Sequence, residues 1–270
     1  MWIDINAYIG HWPYKQLHDS TLTGLIARMD RFGIDKAVVA HLDGVHFKNS
    51  QSANEALFAQ LKSEKSLQKR IIPFAVINPA YPGWEADLKK CISNGIAGVR
   101  LYPQYHDYLP EDPACVALVR KCRDANLVVG LTTRMVDSRQ RSWLDLPNVA
   151  GTEIGEWSLR QFMPLVREVP GATYFFLNVA NGLAVAKEDA ALLKSDKIIF
   201  DTSGRSLGFM PDLVQQYGAG KFAFGSHSPL LDYVTGMLRI ESLRDSEATR
   251  AQKDQMRSGN AIRLLGTHIR

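Results

Sequence analysis

Cysteine is scarce in this chain: Cys91, Cys115 and Cys122 are the only three in 270 residues, and no two of them form a CxxC pair. That excludes a disulfide framework and a cysteine-built zinc knuckle, and leaves buried free thiols as the expectation. Cys115 and Cys122 lie seven apart in a helical stretch, which puts both on one face. No apolar run approaches the length of about eighteen residues that a membrane helix needs. Met1 leads directly into the strand-like residues 2–5, without the basic and apolar regions of a leader, so a soluble, cytoplasmic protein is expected. Charge of one sign is not concentrated either. Thirty-two Lys and Arg stand against 28 Asp and Glu, and the net +4 is scattered, with Lys89-Lys90 the densest pair in the middle of the chain. Neither nucleic acid nor a membrane is therefore an expected partner. No GxGxxG or GxxxxGK[ST] follows an apolar run, which weakens the dinucleotide-binding and P-loop alternatives.

What is present is an alternation. Short apolar, β-rich runs fall at residues 2–5, 36–40, 71–77, 96–101, 127–131, 173–177, 197–200 and 221–224. Helical spacing fills the intervals at 22–32, 52–68, 84–94, 113–126, 158–169, 183–194 and 208–217, with a longer helical tail after Pro229. In that tail Ser246 is placed to cap a helix through Arg257, and residues 260–265 read as a last turn or two ending at Gly266. Eight strands alternating with eight helical segments predict a single (β/α)₈ barrel over residues 1–270. One connection is too long for its neighbours: residues 134–157 predict a lid over the site.

A barrel of this kind gathers its reacting groups at the C-terminal ends of the strands. The residues just after the apolar runs are polar almost throughout: Asn6 and Tyr8, His41, Asn78, Arg100 and Tyr102, Thr132 and Arg134, Asn178, Asp201 and Ser203, and His227. Arg100 and Tyr102, two apart, share a strand face opposite Val99 and Leu101 and are predicted to point into the barrel. A buried arginine needs a partner, either Asp4 or Asp201 in an ion pair or the carboxylate or phosphate of a ligand. Arg134 opens the long connection with Asp137 close behind. It is read either as a clamp on an anionic group or as a salt bridge to Asp137. His11, Trp12 and Tyr14 after the first run, with Trp143 and Trp157 beside the long connection, offer aromatic faces at the mouth or pack the loops together.

With these residues in place, the chain resembles the amidohydrolase-related family of metal-dependent hydrolases and decarboxylases. IDINAYIG at 3–10 lies where that family has D-x-H-x-H-x-G. RIIPFAVINP at 70–79, GIAGVRLYP at 95–103, FGSHSP at 224–229 and GNAIRLLG at 259–266 follow in the family's order. The resemblance implies metal ligands at five strand-end positions, and those positions hold Asn6, Tyr8, Thr132, Asn178 and His227. Only the imidazole is a good zinc donor, and a rearranged set such as His11, His106 and His227, with Glu153 or Glu156, lacks pre-orienting spacing. No cofactor is therefore expected, zinc and other divalent metals included. The reading is a hydrolase or lyase for a small polar or anionic molecule. His227 is its acid/base group and Asp201 the orienter, and Asn6, Tyr8, His11, Arg100, Tyr102, Arg134 and Asn178 hold the substrate. The alternative is a non-catalytic barrel that binds a metabolite or a partner, and either form is compatible with a homo-oligomer.

Overall fold

A computed structural model of the chain describes residues 1–63, 65–135, 157–179 and 182–269. Eight strands, β1 (Ile3–Ile9), β2 (Lys36–His41), β3 (Ile71–Val76), β4 (Gly98–Leu101), β5 (Val128–Thr132), β6 (Thr173–Leu177), β7 (Ile198–Asp201) and β8 (Phe222–Ala223), lie parallel in chain order. At the seam the last meets the first through backbone bonds: Ile5 N–H donates to Phe224 O (2.9 Å), His227 N–H to Asn6 O (2.8 Å) and Tyr8 N–H to Ser228 O (2.8 Å). The predicted α/β barrel is the observed one. Most of the site follows from its geometry, because every strand delivers its C-terminal end to one mouth.

The helices α1 (Leu22–Phe32), α2 (Gln51–Ser63), α3 (Trp84–Ser93), α4 (Pro103–His106), α5 (Pro113–Asp124), α6 (Met163–Glu168), α7 (Met210–Tyr217), α8 (Tyr233–Glu241), α9 (Arg250–Asp254) and α10 (Asn260–Leu265) accompany the barrel. Two segments differ from the sequence expectation. The helix expected at 183–194 is a pair of 3₁₀ turns, Lys187–Asp189 and Leu192–Lys194. Its Asp189 is turned inward to accept from Arg167 at 3.0 Å, which interrupts an apolar face. In the tail the cap is Thr249, not Ser246. The Thr249 hydroxyl accepts from Gln252 N–H while the Gln252 side chain accepts from Thr249 N–H, a reciprocal box that needs Gln or Glu three residues after the cap. Ser246 has Thr249 at that position.

Alternation sorts side chains into two layers. Val99, Leu101, Val129, Leu131, Phe176 and Phe200 pack outward against the helices, where the Phe176 ring stacks 5.6 Å from Phe200. Ile5, Val38, Phe74, Val128, Phe175 and Leu177 fill the barrel's interior. All three cysteines are free and buried, as expected, and Cys115 and Cys122 share the inward face of α5. Among the described residues no helix is long and apolar enough to cross a membrane.

Candidate active site

At the mouth, Asn6 is the centre of a buried polar network. Its Nδ2 donates to Asp201 Oδ2 at 2.7 Å and to Asn178 Oδ1 at 2.9 Å, and lies 3.1 Å from Ser203 Oγ. Asp201 also accepts from Asn178 N–H at 2.8 Å and from the Ser203 hydroxyl, so both of its oxygens are engaged. Burial pushes its carboxyl above the ordinary range, while the bonds from Ser203, Asn6 and Asn178 pull the other way. The side chains can meet because residue 225 is glycine. A Cβ there would stand 2.8 Å from Asp201 Cβ and 3.2 Å from Asn6 Cβ.

Arg100 points into the barrel, as alternation predicts, and is completely buried. Its partner is neither of the two carboxylates anticipated. Nη1 donates to Asn6 Oδ1 at 2.7 Å, and Nη2 reaches Ile5 O at 3.3 Å and Ala7 O at 3.5 Å. The expectation of an ion pair with Asp4 or Asp201 is thus corrected. Asp201 is occupied by amides and a hydroxyl, and Asp4 accepts from the backbone of Asn6 and from Ser226. The guanidinium also lies 4.4 Å from the centre of the Tyr8 ring, a cation–π contact. Gly130 on the next strand leaves room, since a Cβ there would already touch Arg100 Cγ at 3.4 Å.

Around that cation stand aromatic and hydroxyl groups. Tyr8 is buried, its ring edge-on to the His227 imidazole at 5.3 Å and its hydroxyl 3.8 Å from Met135 Sδ. Burial holds the Tyr8 phenol well above its ordinary range, only partly offset by Arg100, so it stays a donor. The buried hydroxyls of Tyr102 and Thr132 have no hydrogen-bond partner among the described residues. His227 is fully buried. Burial first, then the charges of Arg100 and Arg134, push its imidazole well below the usual range, so it is neutral at pH 7. His227 and Asn178 both sit in the left-handed region, at φ of 60° and 59°, a conformation tolerated best by Asn, Asp and His outside glycine.

The remaining sequence candidates are placed at the rim or outside. Arg134 donates from Nε to Asn178 O (3.1 Å) and from Nη2 to Gly204 O (3.2 Å). Asp137, Trp143, Glu153, Glu156 and most of the expected lid fall at 136–156, outside the described residues. His11 is exposed, its N–H on Asp43 Oδ1 at 3.1 Å. Trp157 packs 5.9 Å from Phe162 in the helix layer, away from the mouth. Trp12, His46, Tyr105 and Tyr102 form a chain of ring contacts at 5.1, 5.8 and 6.5 Å along the β1 to β4 side. Sequence reasoning gave no role to Ser203, or to Arg205, whose Nε donates to Asp201 O at 3.2 Å. Their signal was the polar run DTSGR directly after β7.

His106, at the end of α4, faces Gly44 O at 2.8 Å through Nε2, so its neutral ring carries the proton there. Burial lowers its pKa to about 4. The unfolded chain therefore binds a proton below pH 6.5 that the folded chain refuses until about pH 4, and stability falls on acidification through that window. At roughly 1.4 kcal/mol per pH unit the loss is about 3 kcal/mol. Urea unfolding at pH 7 and pH 4.5 is expected to show it, and His106→Gln is expected to flatten the dependence. Equal slopes for the two proteins would remove His106 as its source.

Comparison with known proteins places this geometry. Residues 5–267 match the family model described as amidohydrolase. No curated protein matches. Among solved structures, the 5-carboxyvanillate decarboxylase from Sphingomonas paucimobilis is 12% identical with a TM-score of 0.72, covering 98% of each chain. A dihydroxybenzoic acid decarboxylase from a Polaromonas species, with bound manganese and the inhibitor 2-nitroresorcinol, is 14% identical with a TM-score of 0.68, covering 98% of this chain and 96% of that one. A probable 2-pyrone-4,6-dicarboxylic acid hydrolase from Acinetobacter baumannii with citric acid bound is 14% identical with a TM-score of 0.62, covering 98% and 99%. The manganese corrects the expectation of no cofactor: a protein of this fold holds a divalent metal, and freedom from metal is withdrawn for this chain. The described strand ends do not by themselves fit such an ion. Among the described residues no three His, Cys, Asp or Glu side chains group to hold one, and the amide and hydroxyl oxygens of Asn6, Tyr8, Thr132 and Asn178 are poor donors to a transition metal. No step below runs through a metal.

Proposed function

Since the chain belongs to the amidohydrolase family, we propose that it is a hydrolase or lyase for a small carboxylate, bound at the mouth of the barrel. One observation supports this above the others. Arg100 is a buried, permanent cation that forms no ion pair among the described residues, and all its hydrogen bonds go to neutral oxygens. Taking a charge out of water costs several kcal/mol, and a counter-charge offsets that cost. The ligand supplies it. The hydroxyls of Tyr8, Tyr102 and Thr132 are donors for the carboxylate, and the rings from Tyr102 to Trp12 suit an aromatic or otherwise flat body. His227, neutral and beside Tyr8, is the base: it takes a proton from an attacking water in hydrolysis, or, in a lyase reaction, takes a proton from water and passes it to the carbon that carbon dioxide leaves, whose electron pair forms the new C–H bond. Asp201 holds Asn6 and Asn178 in place.

Calorimetry with benzoate and benzamide as probes tests the anion site. Benzoate is expected to bind and benzamide not to, and Arg100→Met is expected to weaken benzoate roughly tenfold to a hundredfold, the worth of a charge-assisted hydrogen bond. Equal binding of the two probes would refute the charge argument. Release of carbon dioxide or of a hydrolysis product from a panel of aromatic carboxylates and lactones then separates enzyme from binder.

A further inference from the structure

The side chains at the end of β1 face the site only because the strand breaks its own alternation. Ile3 and Ile5 point into the barrel, so an unbroken strand would send Asn6 and Tyr8 outward with Asp4. Instead the pairing with β2 slips: Asp4 stands opposite Ala37, and Ala7, three residues on, stands opposite Val39, only two on. One extra residue is accommodated, and the faces exchange: Ala7 and Ile9 pack outward while Tyr8 points inward and Asn6 joins the buried network. A bulge frees a backbone N–H, which must find a partner when buried. Here Asn6 N–H donates to Asp4 Oδ1 at 2.9 Å.

The same carboxylate holds the opposite side of the seam. Asp4 Oδ1 accepts from Ser226 N–H at 2.9 Å and Oδ2 from the Ser226 hydroxyl, whose oxygen accepts in turn from Ser228 N–H at 2.9 Å. His227 lies between these two serines, and its own N–H is on Asn6 O at 2.8 Å. Asp4 is fully buried and carries no ion pair among the described residues. It touches neither the Tyr8 ring nor the imidazole by any hydrogen bond, yet the N–H groups of Asn6 and Ser226, one on each side of the seam, both end on its Oδ1.

We propose that Asp4 is the positioning residue of the site: it pins the β1 bulge and the Ser226 to Ser228 turn together and thereby turns Asn6, Tyr8 and His227 toward one space. The inference rests on reading the strand ends as the reacting centre. Removing the carboxylate frees the register slip, and removing only the Ser226 hydroxyl frees the turn.

The test uses protein with ¹⁵N-labelled histidine rings, the His227 signals being assigned by their loss in His227→Asn. Asp4→Asn, which keeps the side-chain shape, and Ser226→Ala, which keeps Asp4, are both expected to shift the His227 ring signals beyond their line width. The signals of His41, His46 and His106, across the mouth, are expected to stay in place. Benzoate affinity is expected to fall about tenfold in Asp4→Asn, the worth of a lost hydrogen bond. Unmoved His227 signals in both folded variants, whatever the change in melting temperature, would reduce Asp4 to a packing role and overturn the proposal. Should wild-type protein bind no benzoate, the functional reading fails on its own, and the ring signals still decide the role of Asp4.

Discussion

Alanine in place of Asp201 is expected to lower the free energy of unfolding by about 3–5 kcal/mol, the cost of leaving several buried donors without their acceptor. Three donors lose their acceptor at once: Asn178 N–H, Asn6 Nδ2 and the Ser203 hydroxyl. None has water to turn to, since Asn6, Asn178, Asp201 and Ser203 are all fully buried. Against a typical total of roughly 5–15 kcal/mol this is a large fraction. Asp201→Asn retains the shape and sets one amide N–H₂ against another donor, so a smaller loss of about 1–3 kcal/mol is expected. Urea unfolding measures both. A loss below 1 kcal/mol for the alanine variant would mean that the network relaxes, and that Asp201 is not its keystone.

Asparagine in place of His227 is expected to lower turnover by about 10²–10⁴, the usual worth of a general base, while leaving benzoate affinity within about twofold. The separation follows from the layout. In the proposed site the anion is held by Arg100 and the hydroxyls of Tyr8, Tyr102 and Thr132, whereas the proton is handled by the imidazole. Because burial and the neighbouring arginines hold that imidazole well below its ordinary pKa, the wild-type rate is expected to stay level from pH 8 down through 6.5. An activity that falls away near pH 6.5, or a His227→Asn enzyme with undiminished turnover, would move the base to another residue.

Much of the architecture was legible because burial leaves a periodic trace. All eight strands were marked by short β-rich runs, and the inward direction of Arg100 and Tyr102 followed from their sitting two apart beside Val99 and Leu101. What escaped was whatever breaks periodicity or is decided across the fold. Position and resemblance place Asn6 at the mouth without giving the structural reason: counting along β1 by twos sends it outward, and only the slip between Asp4 and Ala7 reverses it. The partner of Arg100 is an amide brought from 94 positions away, and no spacing in the sequence distinguishes Asn6 from Asp4 or Asp201 for that place. The Thr249 cap was missed for a local reason: Ser246 is an equally good hydroxyl, and the glutamine that decides between them is three residues beyond the other. The cofactor expectation failed differently. It judged five positions by donor chemistry alone, and the manganese of a decarboxylase with the same fold shows that this was too narrow a basis.

The joining of the first strand to the last also orders events in time. Ile5 meets Phe224, and Asn6 meets His227, across more than 200 residues of intervening chain. Contacts so distant along the sequence are slow to form, because a long loop must close before they contribute anything. A nascent polypeptide that has emerged with seven strands has a sheet but an incomplete proposed site: neither the imidazole nor the serine turn that Asp4 holds has been synthesised. The proposed acid/base group therefore joins the anion-holding side chains only with the eighth strand, and a chain cut short before residue 227 lacks it.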